Sequence, residues 1–77
     1  MKYSSKVTGQ VIGRLREERG MTQEVLSGLA GIARSHLGMI ECGRKCPNVE
    51  TLWRIADALG LRLSRLIRLV EEAGESA

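Results

Sequence analysis

Hydrogen-bonding and nucleophilic side chains gather in two short runs, Arg34-Ser35-His36 and Cys42-Gly43-Arg44-Lys45-Cys46. The first offers a guanidinium, a hydroxyl and an imidazole in succession, donors that suit base edges or phosphate oxygens. In the second, two bases lie between two thiols. With His36 close by, the thiols raise the alternative of a metal or redox sensor. Their spacing is poor for zinc, which takes paired Cys-x-x-Cys ligands and four donors. Cys42 and Cys46 are therefore read as free thiols, with no metal and no cofactor. The single His, with no carboxylate dyad on a shared face, leaves nothing from which to build an active site, so an enzyme is not expected. Only Tyr3 and Trp53 could stack bases, which argues against single-stranded RNA as the main partner.

The elements that must position these residues are short helices. In Thr22–Arg44, Leu26, Leu29 and Ala30 fall at helical spacing, Gly31 supplies a sharp turn, and Ile32, Leu37 and Ile40 resume the apolar stripe. This is the shape of a helix-turn-helix, whose second helix can enter a DNA major groove. Around it the pattern predicts five helices and no strands. The first covers Thr8 to Arg19, with Val11, Ile12 and Leu15 inward and Gly20 as its stop. The second is Gln23 to Ala30 behind an N-cap at Thr22, and the third runs from Arg34 to Cys42, ending at Gly43. Asn48 caps a fourth, Val49 to Leu59, with Leu52, Ile55, Ala56 and Leu59 buried and Gly60 closing it. The fifth starts behind Ser64 and ends near Ala73.

The chain of 77 residues is expected to be one small domain at 7–73, with flexible ends at 1–6 and 74–77. At 43% hydrophobic residues and no Phe, its core must be built from aliphatic side chains. No signal-peptide or membrane-spanning pattern is present, which predicts a soluble cytoplasmic protein with no membrane partner. Net charge is +3, but Glu71, Glu72 and Glu75 are all in the tail, so the 12 bases face only six acids before it. A basic body suits a polyanion, since each neutralised phosphate releases counterions.

Thr22, Gln23, Glu24, Leu26, Ala30, Gly31, Ile32, Arg34, Leu37, Ile40, Glu41 and Gly43 together resemble the lambda-repressor-like (Xre/Cro/C1-type) helix-turn-helix regulators. The resemblance covers residues 10 to about 67 and includes IGRLREERGMTQ, PNVETLWRIADALGL and the LSRL opening the last helix. In form it is closest to the stand-alone controller proteins of restriction-modification systems. It implies an all-α, compact five-helix domain with the helix-turn-helix at 22–43. It also implies a bacterial transcriptional regulator, nucleoid-associated when bound to DNA, acting as repressor or activator and regulating its own gene. The motif and its flanks are expected to make up the whole protein, with no sensor domain appended.

Residue by residue, the resemblance assigns base reading to Arg34, Ser35, His36 and Met39. Thr22, Gln23, Cys42, Arg44 and Lys45 are assigned to the phosphate backbone. Arg16 and Glu41 are expected to form a structural ion pair orienting the recognition helix. Three departures weaken the local helices: Ala33 stands where a capping Ser is usual, Val25 removes a capping box, and Gly28 adds a flexible point. Gly38 inside the third helix costs about 1 kcal/mol relative to alanine. Such a domain would rely on association. The last helix has more apolar positions than one buried stripe needs. Leu66, Leu69, Val70 and Ala73 suffice for the core, leaving Ile67 with Leu63 and the off-stripe Trp53. Trp53, Leu63, Ile67 and Val70 are thus expected in a homodimer interface formed by a helix at about 64–73. Double-stranded DNA with a near-palindromic operator follows, and an activator would in addition contact RNA polymerase. The competing reading is an antitoxin or coactivator-type module whose main partner is a protein.

Overall fold

The computed structural model describes residues 3–76. Five helices follow in order: α1 (Ser5–Glu18), α2 (Gln23–Ala30), α3 (Arg34–Glu41), α4 (Val49–Ala58) and α5 (Leu63–Ser76). No strand occurs among the described residues. α1 packs on α3 and α5, α2 on α3 and α4, and α4 on α5. The all-α, five-helix architecture is therefore the one expected.

Six aliphatic side chains, Ile12, Leu26, Leu37, Ile40, Ile55 and Leu66, are fully buried and come from all five helices. Burying each contributes about 1.5–3 kcal/mol. Leu37 and Ile40 fasten the inner face of α3 to this core, which leaves its opposite face free for a partner.

Helix boundaries follow local capping. Thr22 Oγ1 accepts from the Val25 amide at 3.1 Å, and Asn48 Oδ1 from the Thr51 amide at 2.8 Å, so α2 and α4 begin where the sequence places them. Ala33 precedes α3 without a side-chain cap. Gly31, at φ 71°, takes the left-handed conformation that closes α2 and redirects the chain into α3.

The outer helices are longer than expected. α1 starts at Ser5 rather than Thr8, because Ser4 Oγ accepts from the Val7 amide at 3.2 Å and caps it. α5 starts at Leu63 rather than after Ser64, and it continues through Ser76 instead of ending near Ala73. Helical residues thus occupy parts of both ends expected to be flexible, 1–6 and 74–77, while Met1, Lys2 and Ala77 lie outside the described residues.

Two apolar assignments change. Leu29, placed on the buried stripe of α2, is 63% exposed, because α3 and α4 cover only the Leu26–Ala30 side of that helix. Val70, expected at a dimer interface as well as in the core, is only 9% exposed and packs inward beside Leu66. Leu63 is half-buried against the same core. Trp53 (62% exposed) and Ile67 (38%) do lie on the surface.

Candidate nucleic-acid interface

Eight residues of α3 divide cleanly between two duties. Leu37 and Ile40 point into the core, while Arg34, Ser35 and Met39 are exposed and His36 is half-buried. Ser35, Met39 and Cys42 recur at helical spacing on the exposed side. The Cys42 thiol donates to the Met39 carbonyl at 3.4 Å, closing the last turn. Beyond it the chain folds back, with the Arg44 and Lys45 amides both donating to that same carbonyl (2.9 and 3.2 Å). Both basic side chains are exposed. A helix with exposed polar residues at its start and two exposed cations just past its end can set down on a duplex, touching base edges and backbone together.

What holds this helix at a fixed angle is Glu41. Its carboxylate accepts from Arg16 twice, Nε to Oε2 at 2.8 Å and Nη2 to Oε1 at 3.1 Å. The remaining Arg16 nitrogen, Nη1, donates to the Met21 carbonyl at 2.8 Å in the α1–α2 connection. The Arg16 and Glu41 side chains are 14% and 9% exposed. Such a two-pronged pair in a dry setting is directional and strong. The hydrogen bond to Glu41 raises the Arg16 pKa above its already high value, so the guanidinium stays charged.

Gln23 does something the sequence did not suggest. Its Nε2 donates to Glu41 Oε1 at 3.1 Å, so the side chain assigned to phosphate is also the third strut of the Glu41 network. Gly38 lies alongside it, and a Cβ there would make only an ordinary contact, 3.8 Å from Gln23 Oε1. Thr22, which caps the start of α2, is exposed beside Gln23.

Close helix approach is the feature that sequence reasoning missed. A Cβ on Gly9 would collide with the Ile40 carbonyl and lie 2.6 Å from that of Glu41, and a Cβ on Gly13 would lie 3.3 Å from Glu41 Oε1. One face of α1 is therefore bare where the C-terminal end of α3 leans on it. The signal was present as two glycines four apart inside a predicted helix. Gly43, at φ 82°, fits against the Lys6 backbone, 2.9 Å from Lys6 Cα to the position of a Cβ. The Cys46 thiol contacts the Tyr3 hydroxyl at 3.4 Å. The start of α1 thus braces the loop that carries Arg44 and Lys45. At the helix-turn-helix corner, Arg54 Nη1 lies 3.5 Å from where a Gly31 Cβ would be, while its Nη2 pairs with Glu50 Oε2 at 3.6 Å.

Both cysteines are free and exposed, and no group of three metal-ligating side chains occurs among the described residues. No helix there is long and apolar enough to cross a membrane.

The helix-turn-helix family model matches residues 12–66, the span containing both arms of the motif and their supports. This chain belongs to that family of transcriptional regulators. Among its relatives it is 37% identical over 67 residues to an HTH-type transcriptional regulator, y4dJ, of Sinorhizobium fredii, covering 87% of each chain. It is 41% identical over 59 residues to the immunity repressor of Bacillus phage phi105, covering 77% of this chain but 41% of the repressor. The crystal structure of the restriction-modification controller C.AhdI from Aeromonas hydrophila superposes with a TM-score of 0.78 at 31% identity, over 80% of this chain and 94% of that one. The lambda-repressor-like, Xre/Cro/C1-type resemblance thus holds across the fold, including its relation to restriction-modification controllers. Regulation of transcription through DNA is the function of such a domain.

Proposed function

We propose that the protein binds a near-palindromic operator as a homodimer, laying α3 of each protomer into successive major grooves. Arg34 reads a guanine through O6 and N7, a contact that discriminates by about 1–3 kcal/mol. Ser35 and His36 contact neighbouring bases or the adjoining backbone, and Met39 meets a thymine methyl. Thr22 and the α2 amides, with Arg44, Lys45 and the Cys42 turn, hold the phosphates. Gln23 contributes chiefly by fixing Glu41, with the second hydrogen of its amide turned to the backbone. The operator lies upstream of the protein's own gene, and its position relative to the polymerase decides between repression and activation.

The observation that carries this reading is the exposed Arg34–Ser35–Met39 face, flanked by Arg44 and Lys45, on a helix pinned from behind by Glu41. The kinship with a controller protein and a phage immunity repressor supports it. Fluorescence-anisotropy titration of the DNA upstream of the gene, at several salt concentrations and with random-sequence competitor, tests it. Binding that survives competitor, with two protomers per site and a steep salt slope, is expected. Weak binding removed equally by any DNA would refute it.

A further inference from the structure

Where the start of α1, the first turn of α4 and the middle of α5 meet, the surface dips into an apolar groove of about 240 Å³. The nearly buried Leu52 and Val70, with the more exposed Val7 and Ile67, give it aliphatic walls. An apolar cavity of about 150 Å³ takes up benzene, so this groove has room for one ring with a short chain attached.

Two polar side chains also line it. The Tyr3 ring faces the groove, while its hydroxyl meets the Cys46 thiol at 3.4 Å. Glu71 is the one charged residue of the lining, and it makes no ion pair among the described residues. The neighbouring cation, Arg68, pairs with Glu72 instead. An uncompensated carboxylate beside aliphatic walls favours a ligand with a hydrocarbon body and one positive charge, and repels carboxylates and phosphates. A ring seated there also gains an edge-to-face contact with Tyr3.

We propose that this groove is an effector site for a small primary amine carrying one aromatic ring. The ring fills the space between Val7, Leu52 and Val70, and the ammonium rests on Glu71. The wall it touches reaches the DNA-facing side of the domain. Tyr3 meets Cys46 and the Lys6 backbone fits against Gly43, so the start of α1 joins the groove to the loop carrying Arg44 and Lys45. A ligand that holds Tyr3 in place fixes that loop and tightens its grip on phosphate, and DNA tightens the ligand in return. The coupling rests on the DNA binding proposed above, whereas the site itself does not.

Phenethylamine is the probe, and phenethyl alcohol its uncharged control. Each would be titrated into the full chain at neutral pH, with amide chemical shifts followed by NMR. Saturable shifts of Val7, Leu52, Ile67 and Val70 are expected, with the amine bound about threefold more tightly, the size of an exposed ion pair. Glu71→Gln should abolish that preference with helix content unchanged by circular dichroism. Shifts that fail to saturate, or that fall elsewhere, overturn the site. Equal affinity for amine and alcohol, or a preference that survives Glu71→Gln, overturns the amine assignment. Shifts of the same residues on diluting the ligand-free chain would show a second copy filling the groove, and would overturn the site as well. On the DNA upstream of the gene, saturating phenethylamine is expected to tighten binding about fivefold, the low end of allosteric coupling. Tyr3→Phe, which keeps the ring and loses the thiol contact, should bind the amine and show no such gain. Amine binding that leaves DNA affinity unchanged overturns the effector role. A chain that binds the amine but no DNA overturns the function proposed above and leaves the site standing.

Discussion

The α-carbon of Gly9 faces the carbonyl of Ile40 with no room for a methyl group between them. Two helices far apart in sequence meet there, and the seam sets where the recognition helix ends. Alanine usually favours a helix over glycine by about 1 kcal/mol, but here the added carbon strikes backbone that has no rotamer to yield. Gly9→Ala is expected to lower stability by about 1–3 kcal/mol. Gly28→Ala is the control. Nothing lies within 4 Å of its Cβ position, so about 0.5–1 kcal/mol of stabilisation is expected. Urea unfolding of both variants reads the contrast, and equal changes in the two would refute the seam.

Arg16 and Glu41 share a nearly dry site with Gln23, and removing one partner strands the other. Arg16→Ala should cost about 3 kcal/mol, near the loss reported for breaking buried pairs. Arg16→Lys should recover little, since an ammonium cannot match the two-pronged geometry and the Met21 carbonyl together. A thermal melt of Arg16→Ala indistinguishable from wild type would show that the pair is ornamental.

Ala33 leaves the start of α3 without a side-chain cap. Its backbone is already extended (φ −67°, ψ 143°), the conformation a capping residue needs. Ala33→Ser should therefore stabilise the domain by about 1 kcal/mol. The melting temperature would rise, and an unchanged or lower value would count against the capping argument.

On DNA, base-reading and phosphate-holding residues should fail differently. Arg34→Ala is expected to lose about 1–3 kcal/mol against the operator and much less against random sequence. Lys45→Ala should weaken both alike and reduce the logarithmic salt slope by about 1. Parallel titrations of the two DNAs distinguish the roles, and a uniform loss for Arg34→Ala would make it a phosphate contact instead.

The only tyrosine in the chain, Tyr3, has its phenol pushed above the ordinary value of 10.0 by partial burial, with the adjacent Cys46 thiol adding to the effect. A raised folded-state value means that the neutral phenol is favoured by folding. Its contribution is fully present below pH 10 and fades as pH climbs through the folded-state value. Ultraviolet titration of the single phenol should show ionisation later in the folded than in the urea-unfolded chain. Coincident curves would show that folding leaves the phenol unperturbed.

Much of the architecture is legible in the chain because it depends on near neighbours. Thr22, Asn48 and the turn at Gly31 act within three or four residues of themselves, so the bounds of α2 and the starts of α3 and α4 can be read directly. The inward stripe of Leu26, Leu37, Ile40, Ile55 and Leu66 follows from periodicity alone. Ser4 caps α1 ahead of its first apolar residues, so the helix begins earlier than its apolar pattern suggests. Leu29 shows where periodicity stops being informative. It fits the helical stripe, but whether a stripe residue is covered depends on how far the neighbouring helices extend.

Tertiary structure alone decided the rest, since those relationships join residues distant in the chain. Only packing reveals that Gly9 and Gly13 are bare because α3 leans on them, or that Gln23 turns toward Glu41. Spacing suits Val70 to core and interface alike, and the packing of α5 buries it in the core. The exposed face of α3 follows from both sources. Local residue types supply its chemistry, and the long-range grip of Arg16 on Glu41 supplies the angle at which that chemistry is presented.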